Sequence, residues 1–321
     1  ALGGILRRCA RILAVAVAIA ALGCTSTQLM PTTFESDRIF ANATAPDGRP
    51  VVFFTDSGGG YNAVASSIAA RYSLESKGEV QSDGRVTALV GFPEFLTDSG
   101  IPRPNPDRWL GGNLAVVPDE RLEADGFLGS RWFAGRVWVF DYTAKTLALA
   151  DSSSPYAAWI MTPLGFRSDQ LGSRDLNFPR ISIEVSGESL EMLLDTGATA
   201  LVTEESAPVL KARAGERVGT SYIVRSVFER WQSRNPNWRV IAAGDAVLGR
   251  PMPMIEVPEI AISGVRFGPV WFTQRPDANF REWMSQMTDK TLDGAIGGSA
   301  LRHLRFVLDY PAGEMYLQRN D

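Results

Sequence analysis

Two 25-residue stretches of this chain align without a gap, and that internal repeat limits the possible folds more than any other feature. "DGFLGSRWFAGRVWVFDYTAKTLAL" begins at Asp125 and "DGAIGGSALRHLRFVLDYPAGEMYL" at Asp293. The alignment sets Asp125 on Asp293, Gly126 on Gly294, Gly129 on Gly297, Asp141-Tyr142 on Asp309-Tyr310 and Leu149 on Leu317. A lone Asp-Gly is a routine turn. Several positions in one order and one register imply two copies of a supersecondary unit. Ahead of each copy an apolar run ends in an acid, a small hydroxyl residue and glycine: "VVFFTDSGGGYN" with Asp56 and "LEMLLDTGATAL" with Asp195. Gly48 lies eight residues before Asp56, and Gly187 eight before Asp195. Both sit in turn-like stretches between strand-like runs, so each acidic loop is expected to follow a β-hairpin.

The spacings differ between the copies. Asp56 and Asp125 are 69 residues apart and Asp195 and Asp293 are 98 apart, so the second half carries 29 extra residues. "SVFERWQSRNPNW" is expected to account for part of them as a helix. Ser226 and Glu229 predict a capping box, Val227, Phe228 and Trp231 an apolar stripe, and Pro236 a stop. A shorter helix is expected after each acidic loop. Asn62 would cap one that carries Val64, Ile68 and Tyr72 on one side, and Thr203 would cap the other. Elsewhere "RVTALVGF", "RVWVFDY", "ISIEV", "EIAISGVRFGPVWFTQ" and "RFVLDY" read as strands separated by turn signals, so the body is mostly β.

With 321 residues, of which 45% are apolar, the chain can bury a core in each of two lobes. A net charge of −4 argues against a dedicated nucleic-acid binder. One histidine, His303, and two cysteines, Cys9 and Cys24, leave too few ligands for a zinc site built on His and Cys. A serine or cysteine nucleophile would have to use His303, which reads as structural. Glycine-rich phosphate loops are missing. Carboxylate chemistry, with no metal and no cofactor, is what the composition leaves for an enzyme.

The front of the chain reads as an address. Arg7, Arg8 and Arg11 precede an apolar run from Ile12 to Gly23, short for a membrane span and suited to a signal peptide. The run ends in "ALGC", which resembles a bacterial lipobox with Cys24 as the lipidated residue. Ala21 departs from the commoner leucine at the first position. Residues 1–23 are thus expected to be a signal peptide and 24–39 a polar tether. The expected location is the bacterial cell envelope, facing the periplasm. Thr25 after the cysteine favours the outer membrane by resemblance to enterobacterial sorting rules. An ordinary cleaved signal, with Cys24 incidental, is the alternative.

From roughly residue 40 onward the chain resembles the pepsin-type aspartic proteases, and its second half alone is similar to a retroviral protease. In that family each lobe supplies one D-T/S-G loop and one hydrophobic-hydrophobic-glycine segment that threads beneath it. "FLG" (Phe127-Leu128-Gly129) and "AIG" (Ala295-Ile296-Gly297) match the latter. The resemblance implies a mostly β, bilobal acid-protease fold: two related β-barrel-like lobes, residues 40–165 and 166–321, with short helices and the active cleft between them. It implies that Asp56 and Asp195 are the catalytic pair. Gly58 and Gly197 would let the loops turn, Ser57 and Thr196 would bond across to the opposite loop, and Gly129 and Gly297 would support them from beneath. Two departures stand out. Pepsins carry a hydroxyl residue after the loop glycine, where this chain has Gly59 and Ala198; the latter matches the retroviral form. The first-lobe flap is expected within "VTALVGFPEFLTDSGIPRPNP", which holds no tyrosine.

Two facing carboxylates share one proton because both cannot ionise cheaply. The ionised one activates a water and the protonated one donates to the substrate carbonyl. The expected activity is therefore that of a monomeric aspartic endopeptidase, acting on a peptide or protein substrate in the cleft and held to a membrane through Cys24. Two other readings keep the same fold. One is a catalytically inactive, lipid-anchored module that binds peptides or proteins. The other is a second half that is active only as a dimer. Asp125 and Asp293 are expected to be turn residues without catalytic roles.

Overall fold

The computed structural model describes residues 26–82 and 84–320, so the segment 1–23 expected to be a signal peptide and Cys24, the expected lipidation residue, lie outside the described residues. The chain is mostly β, arranged in two large open sheets, a shared six-stranded sheet and a small two-stranded one.

The eight-stranded sheet is built on the hairpin Arg38–Thr44 and Pro50–Thr55, and the nine-stranded sheet on Arg180–Val185 and Glu188–Leu194. Gly48 (φ 82°) and Gly187 (φ 80°) take the left-handed conformation in the two turns, where glycine carries no steric cost. Beside each acid-bearing strand runs a parallel partner. Gly126–Leu128 pairs Phe53 with Gly126, and Gly294–Ile296 pairs Met192 with Gly294. Phe53 and Met192 each stand three residues before the acid, so the two registers are identical. Asn62–Ala65 and Ser221–Val224 then add antiparallel, and Leu114–Val117 and Val270–Arg275 add parallel to those. A hairpin ends each series: Ser76–Ser82 with Arg85–Val90, and Val240–Asp245 with Met252–Val257. Seven consecutive sheet positions therefore match in order and direction. At the other end the sheets differ, because Thr32–Glu35 lies beside Arg38–Thr44 whereas Ile260–Ile262 lies beside Arg180–Val185.

Neither sheet closes, which corrects the expected barrel-like lobes. In the first half the outer hairpin stands away from the body: only the last two residues of Arg85–Val90 are buried.

The six-stranded sheet joins the halves. Val137–Asp141 pairs antiparallel with Leu304–Asp309, from Val137 opposite Asp309 to Asp141 opposite Arg305. Phe140 stacks on Phe306 at 4.6 Å, and Phe133, Trp132, Trp138 and Tyr310 fill the space beside them, all fully buried. At the sheet edges, Thr27–Leu29 pairs with Thr146–Ala150 and Ile160–Pro163 with Glu314–Arg319. Residues 27–39 are therefore not a tether. They form two strands and the start of a third, with Ser26 Oγ donating to Asp151 Oδ2 at 2.6 Å and Met30 and Phe34 buried. Polar composition concealed an edge strand that contributes ladder bonds rather than core side chains.

The extra residues of the second half lie mainly between the acidic loop and Ser221 rather than in the longer helix. Asn62 follows Asp56 by six residues, whereas its structural counterpart Ser221 follows Asp195 by 26. That interval holds Thr199–Leu201, the short helix Ala207–Leu210 and Arg217–Gly219. The helix Arg225–Arg234 occupies the same place as the shorter Ser66–Arg71, and Val227, Phe228 and Trp231 are its buried stripe. Its capping box does not form, since the helix already starts at Arg225 and the Ser226 N–H donates to Asp277 Oδ1 at 3.0 Å. Asn62 caps no helix either; it sits in a strand. Thr203 Oγ1 does accept from the Ser206 N–H at the head of Ala207–Leu210, at 3.2 Å.

Candidate active site

Asp56 and Asp195 stand just past the ends of their strands, on loops held from below. The Asp56 N–H donates to Leu128 O at 2.9 Å and the Asp195 N–H to Ile296 O at 2.8 Å. Each loop turns tightly. Gly59 N donates to Asp56 O at 3.1 Å and Ala198 N to Asp195 O at 3.2 Å. Each carboxylate is fixed through one oxygen, because Gly58 N donates to Asp56 Oδ1 at 2.7 Å and Gly197 N to Asp195 Oδ1 at 3.0 Å. Asp125 and Asp293 act from further back as structural residues. Their carboxylates accept from Val52 N at 2.9 Å and Glu191 N at 3.3 Å, each donor four residues before its acid.

The two loops are tied across the interface. Ser57 and Thr196 are fully buried. Ser57 N donates to Thr196 Oγ1 at 3.1 Å, Thr196 N to Ser57 Oγ at 3.0 Å, and Ser57 Oγ to Leu194 O at 2.7 Å. Gly58 and Gly197 have a further role beyond turning the chain. A Cβ on Gly58 would stand 2.6 Å from Asp195 Cγ, and one on Gly197 2.3 Å from Asp56 Cγ. Each carboxyl group is thus seated against the bare backbone of the opposite loop. Gly129 and Gly297 thread so closely that a Cβ would meet Tyr61 O at 2.4 Å and Thr220 O at 2.1 Å. Their N–H groups donate to Asn62 Oδ1 at 2.9 Å and Ser221 Oγ at 3.1 Å. Every proposed loop residue therefore comes together at one point.

The two carboxyl groups lie within hydrogen-bonding reach of each other. Burial raises the proton affinity of both. For Asp195, only 9% exposed, burial first and then the charge of Asp56 push it well above the usual carboxylate range. Asp56 keeps an edge towards solvent and is also raised, by burial first and by Glu123 to a smaller extent. A buried pair in contact holds one proton between them over a wide pH span. That leaves one base and one acid a hydrogen bond apart, the arrangement needed to deprotonate a water and protonate a carbonyl oxygen in one step.

Around the pair the side chains of the two halves differ, and Tyr222, Arg275 and Asp245 carried no sequence signal. Phe127 stands opposite Ala63 and, in the second half, Ala295 stands opposite Tyr222, so the aromatic changes strand between the halves. A Cβ on Gly59 would lie 2.3 Å from the Phe127 ring, which explains the glycine found where pepsins have a hydroxyl residue. Tyr222 donates to Thr199 O and accepts from Thr199 N, both at 2.7 Å. Arg275 lies over its ring at 4.2 Å and is paired with Asp245 at 2.8 Å, both groups buried.

Gly58, Asp195, Leu193, Tyr222 and Met284 border a cavity of about 450 Å³. Val247 and Leu248, at the tip of the hairpin Val240–Asp245 and Met252–Val257, line it as well. Neither this cavity nor the one that opens beside the Asp56 loop, lined by Gly60, Trp109, Arg131 and Phe178, takes a lining residue from the first-half strands Ser76–Ser82 and Arg85–Val90, the second of which overlaps the expected flap stretch. The lining hairpin belongs to the second half. A larger space of about 700 Å³ lies on the first-half side, between Arg38, Glu123 and Arg217, and does not reach Asp56.

No known protein family and no curated protein matches the chain. Among solved structures it is similar to conglutin gamma, a unique basic 7S globulin from lupine seeds. That likeness covers 92% of this chain and 96% of that one, at 10% identity and a TM-score of 0.45. It is too distant to carry an argument about fold or function.

Proposed function

We propose that this chain is an aspartic endopeptidase of bilobal, pepsin-like architecture, with Asp56 and Asp195 as its catalytic pair. The observation that carries the reading is the reciprocal seating of the two carboxyl groups, each against the glycine of the opposite loop and within hydrogen-bonding reach of the other. Asp56, the more exposed, takes the proton of a water that attacks the peptide carbonyl. Asp195 donates its proton to the carbonyl oxygen, and the resulting diol collapses with proton return to the leaving amine. Carboxyl groups in contact favour hydrolysis over a binding-only module, and cross-ties within one chain favour a monomer over a dimer of second halves. Asp195→Asn and Asp56→Asn are each expected to lower peptide cleavage by at least about 100-fold, with far-ultraviolet circular dichroism unchanged. Full activity in either variant rejects the proposal.

The lipobox-like "ALGC" supports a second element of the proposal, an envelope protein facing the periplasm and anchored through lipid on Cys24. Cys24→Ala is expected to move the protein from the membrane to the soluble fraction of fractionated cells. Retention in the membrane rejects the anchor.

A further inference from the structure

We propose that the outer face of the six-stranded sheet is a membrane-docking surface: it lies against the phospholipid headgroups and holds the Asp56–Asp195 site on the far side, turned to the aqueous phase. This rests on the lipid-anchor reading of Cys24 above and adds how the anchored body sits at the bilayer.

The strand Thr27–Leu29 starts too early to leave room for a tether. Ser26 is already tied to Asp151 Oδ2, through its N–H at 3.2 Å and its Oγ at 2.6 Å, and stands two residues after Cys24. Two residues of chain reach at most about 7 Å. A lipid on Cys24 therefore brings this edge of the sheet down to the headgroups.

The two faces of the sheet differ. Residues directly opposite each other in antiparallel ladders share a face. Leu147, Phe140, Phe306 and Leu317 form one such row, fully buried. Trp138 shares that face and packs on Trp132 at 4.5 Å, in the short helix Ser130–Phe133. The same helix holds the Asp56 loop, since Ser130 N donates to Gly59 O at 2.8 Å. The carboxyl pair thus lies on the inner side of the sheet.

The outer row runs Leu29, Ala148, Val139, Val307, Tyr316 and Met161 across all six strands. Its two ends are apolar and open, Leu29 67% exposed and Met161 49%. Arg305, two residues before Val307, shares this face and lies over the Trp159 ring at 5.4 Å, and Tyr156 meets Trp159 at 5.0 Å. Both aromatics are half-exposed. Tyrosine and tryptophan, with an apolar body and a polar tip, suit the bilayer interface. The acids of the face are already engaged. Asp141 pairs with Arg305 at 2.7 Å, Glu314 accepts from Tyr316 Oη at 2.6 Å, and Asp309 accepts from Ala312 N at 2.8 Å. Apolar and aromatic contact, rather than attraction to anionic lipid, then orients the body, while the anchor supplies most of the affinity.

The test couples the chain from Cys24 onward, in which that residue is the sole cysteine, to a maleimide-bearing lipid in phosphatidylethanolamine–phosphatidylglycerol vesicles. It therefore does not depend on whether cells lipidate Cys24. Amide hydrogen exchange is compared with that of the same chain capped by a soluble maleimide. Exchange in residues 27–30 and 153–162 is expected to slow several-fold on the vesicles, equally at high salt, while 246–249 and 283–287 keep their solution rates. Leu29→Asn combined with Met161→Asn, both at exposed positions, should return 153–162 to its solution rate with thermal melting unchanged. No slowing, slowing at 246–249 instead, or slowing lost at high salt overturns the inference. So does a dimer in sedimentation that protects the same residues without vesicles. If Cys24→Ala protein stays in the membrane of cells while the coupled chain shows the expected pattern, the anchor reading fails and the docking face stands. Release of Cys24→Ala protein with no pattern on vesicles leaves the reverse.

Discussion

In the first half the residues facing each other beneath the acidic loop are Ala63 and Phe127; in the second they are Tyr222 and Ala295. The aromatic has moved to the other strand, yet the two carboxyl groups keep matching backbone partners and matching registers. Backbone hydrogen bonds and glycine contacts set the geometry of the pair, and the side chains around it are free to differ. What the exchange decides is which side chain stands beside each loop. Phe127 fills the ground beside Gly59, while Tyr222 lines a cavity next to Asp195.

The largest effect that tests this division is Gly197→Ala. A Cβ there displaces the Asp56 carboxyl group, and a misplacement of that kind is expected to lower kcat by about 100-fold. Turnover of a peptide by folded variant protein measures it, and near-normal turnover breaks the claim that backbone contact fixes the pair. Next, Gly59→Ser should destabilise by about 1–3 kcal/mol through overlap with Phe127. Combining it with Phe127→Ala should cost clearly less than the two single changes added together. Urea unfolding of all four proteins gives the coupling, and strict additivity would show that Phe127 is not the reason for the glycine. Ser57→Ala removes two cross-ties and leaves buried groups of Leu194 and Thr196 unpartnered, at about 1–3 kcal/mol. Thr196→Val removes one and should cost about half as much.

The smallest effect is one of pH. Because the Asp195 carboxyl is held above its unfolded proton affinity, the stability it lends is complete at acid pH and is lost as pH rises through its folded value. Asp195→Asn should therefore melt higher than the unaltered protein at pH 7. The gap should shrink as pH falls and vanish below about pH 4. A gap independent of pH would mean the pair shares no buried proton.

The repeat made the centre of this molecule legible because the same physical demands act twice. The hairpin turns at Gly48 and Gly187 sit eight residues before the two carboxylates, and the buttressing acids Asp125 and Asp293 and the threading glycines Gly129 and Gly297 keep one register within the repeated stretch. What could not be read are features without a partner in the other half. Arg275 and Asp245 meet across 30 residues with no periodic signal, and the segment from Thr199 to Gly219 has no first-half counterpart. Asn62 misled because a residue suited to capping a helix also suits a strand whose side chain must accept from Gly129. The edge strand Thr27–Leu29 is exposed at every position, so no apolar alternation marked it.

The six-stranded sheet has a consequence for durability. Its strands come from both halves, with five residue pairs joining Val137–Asp141 to Leu304–Asp309, and Ile160–Pro163 pairing with Glu314–Arg319. The connection between the halves runs through an exposed stretch where Leu171 is 91% exposed. A cut there would sever the chain without separating its parts, since interleaved strands and the Ser57–Thr196 ties would keep the fragments together. A chain nicked there would outlast its own covalent continuity.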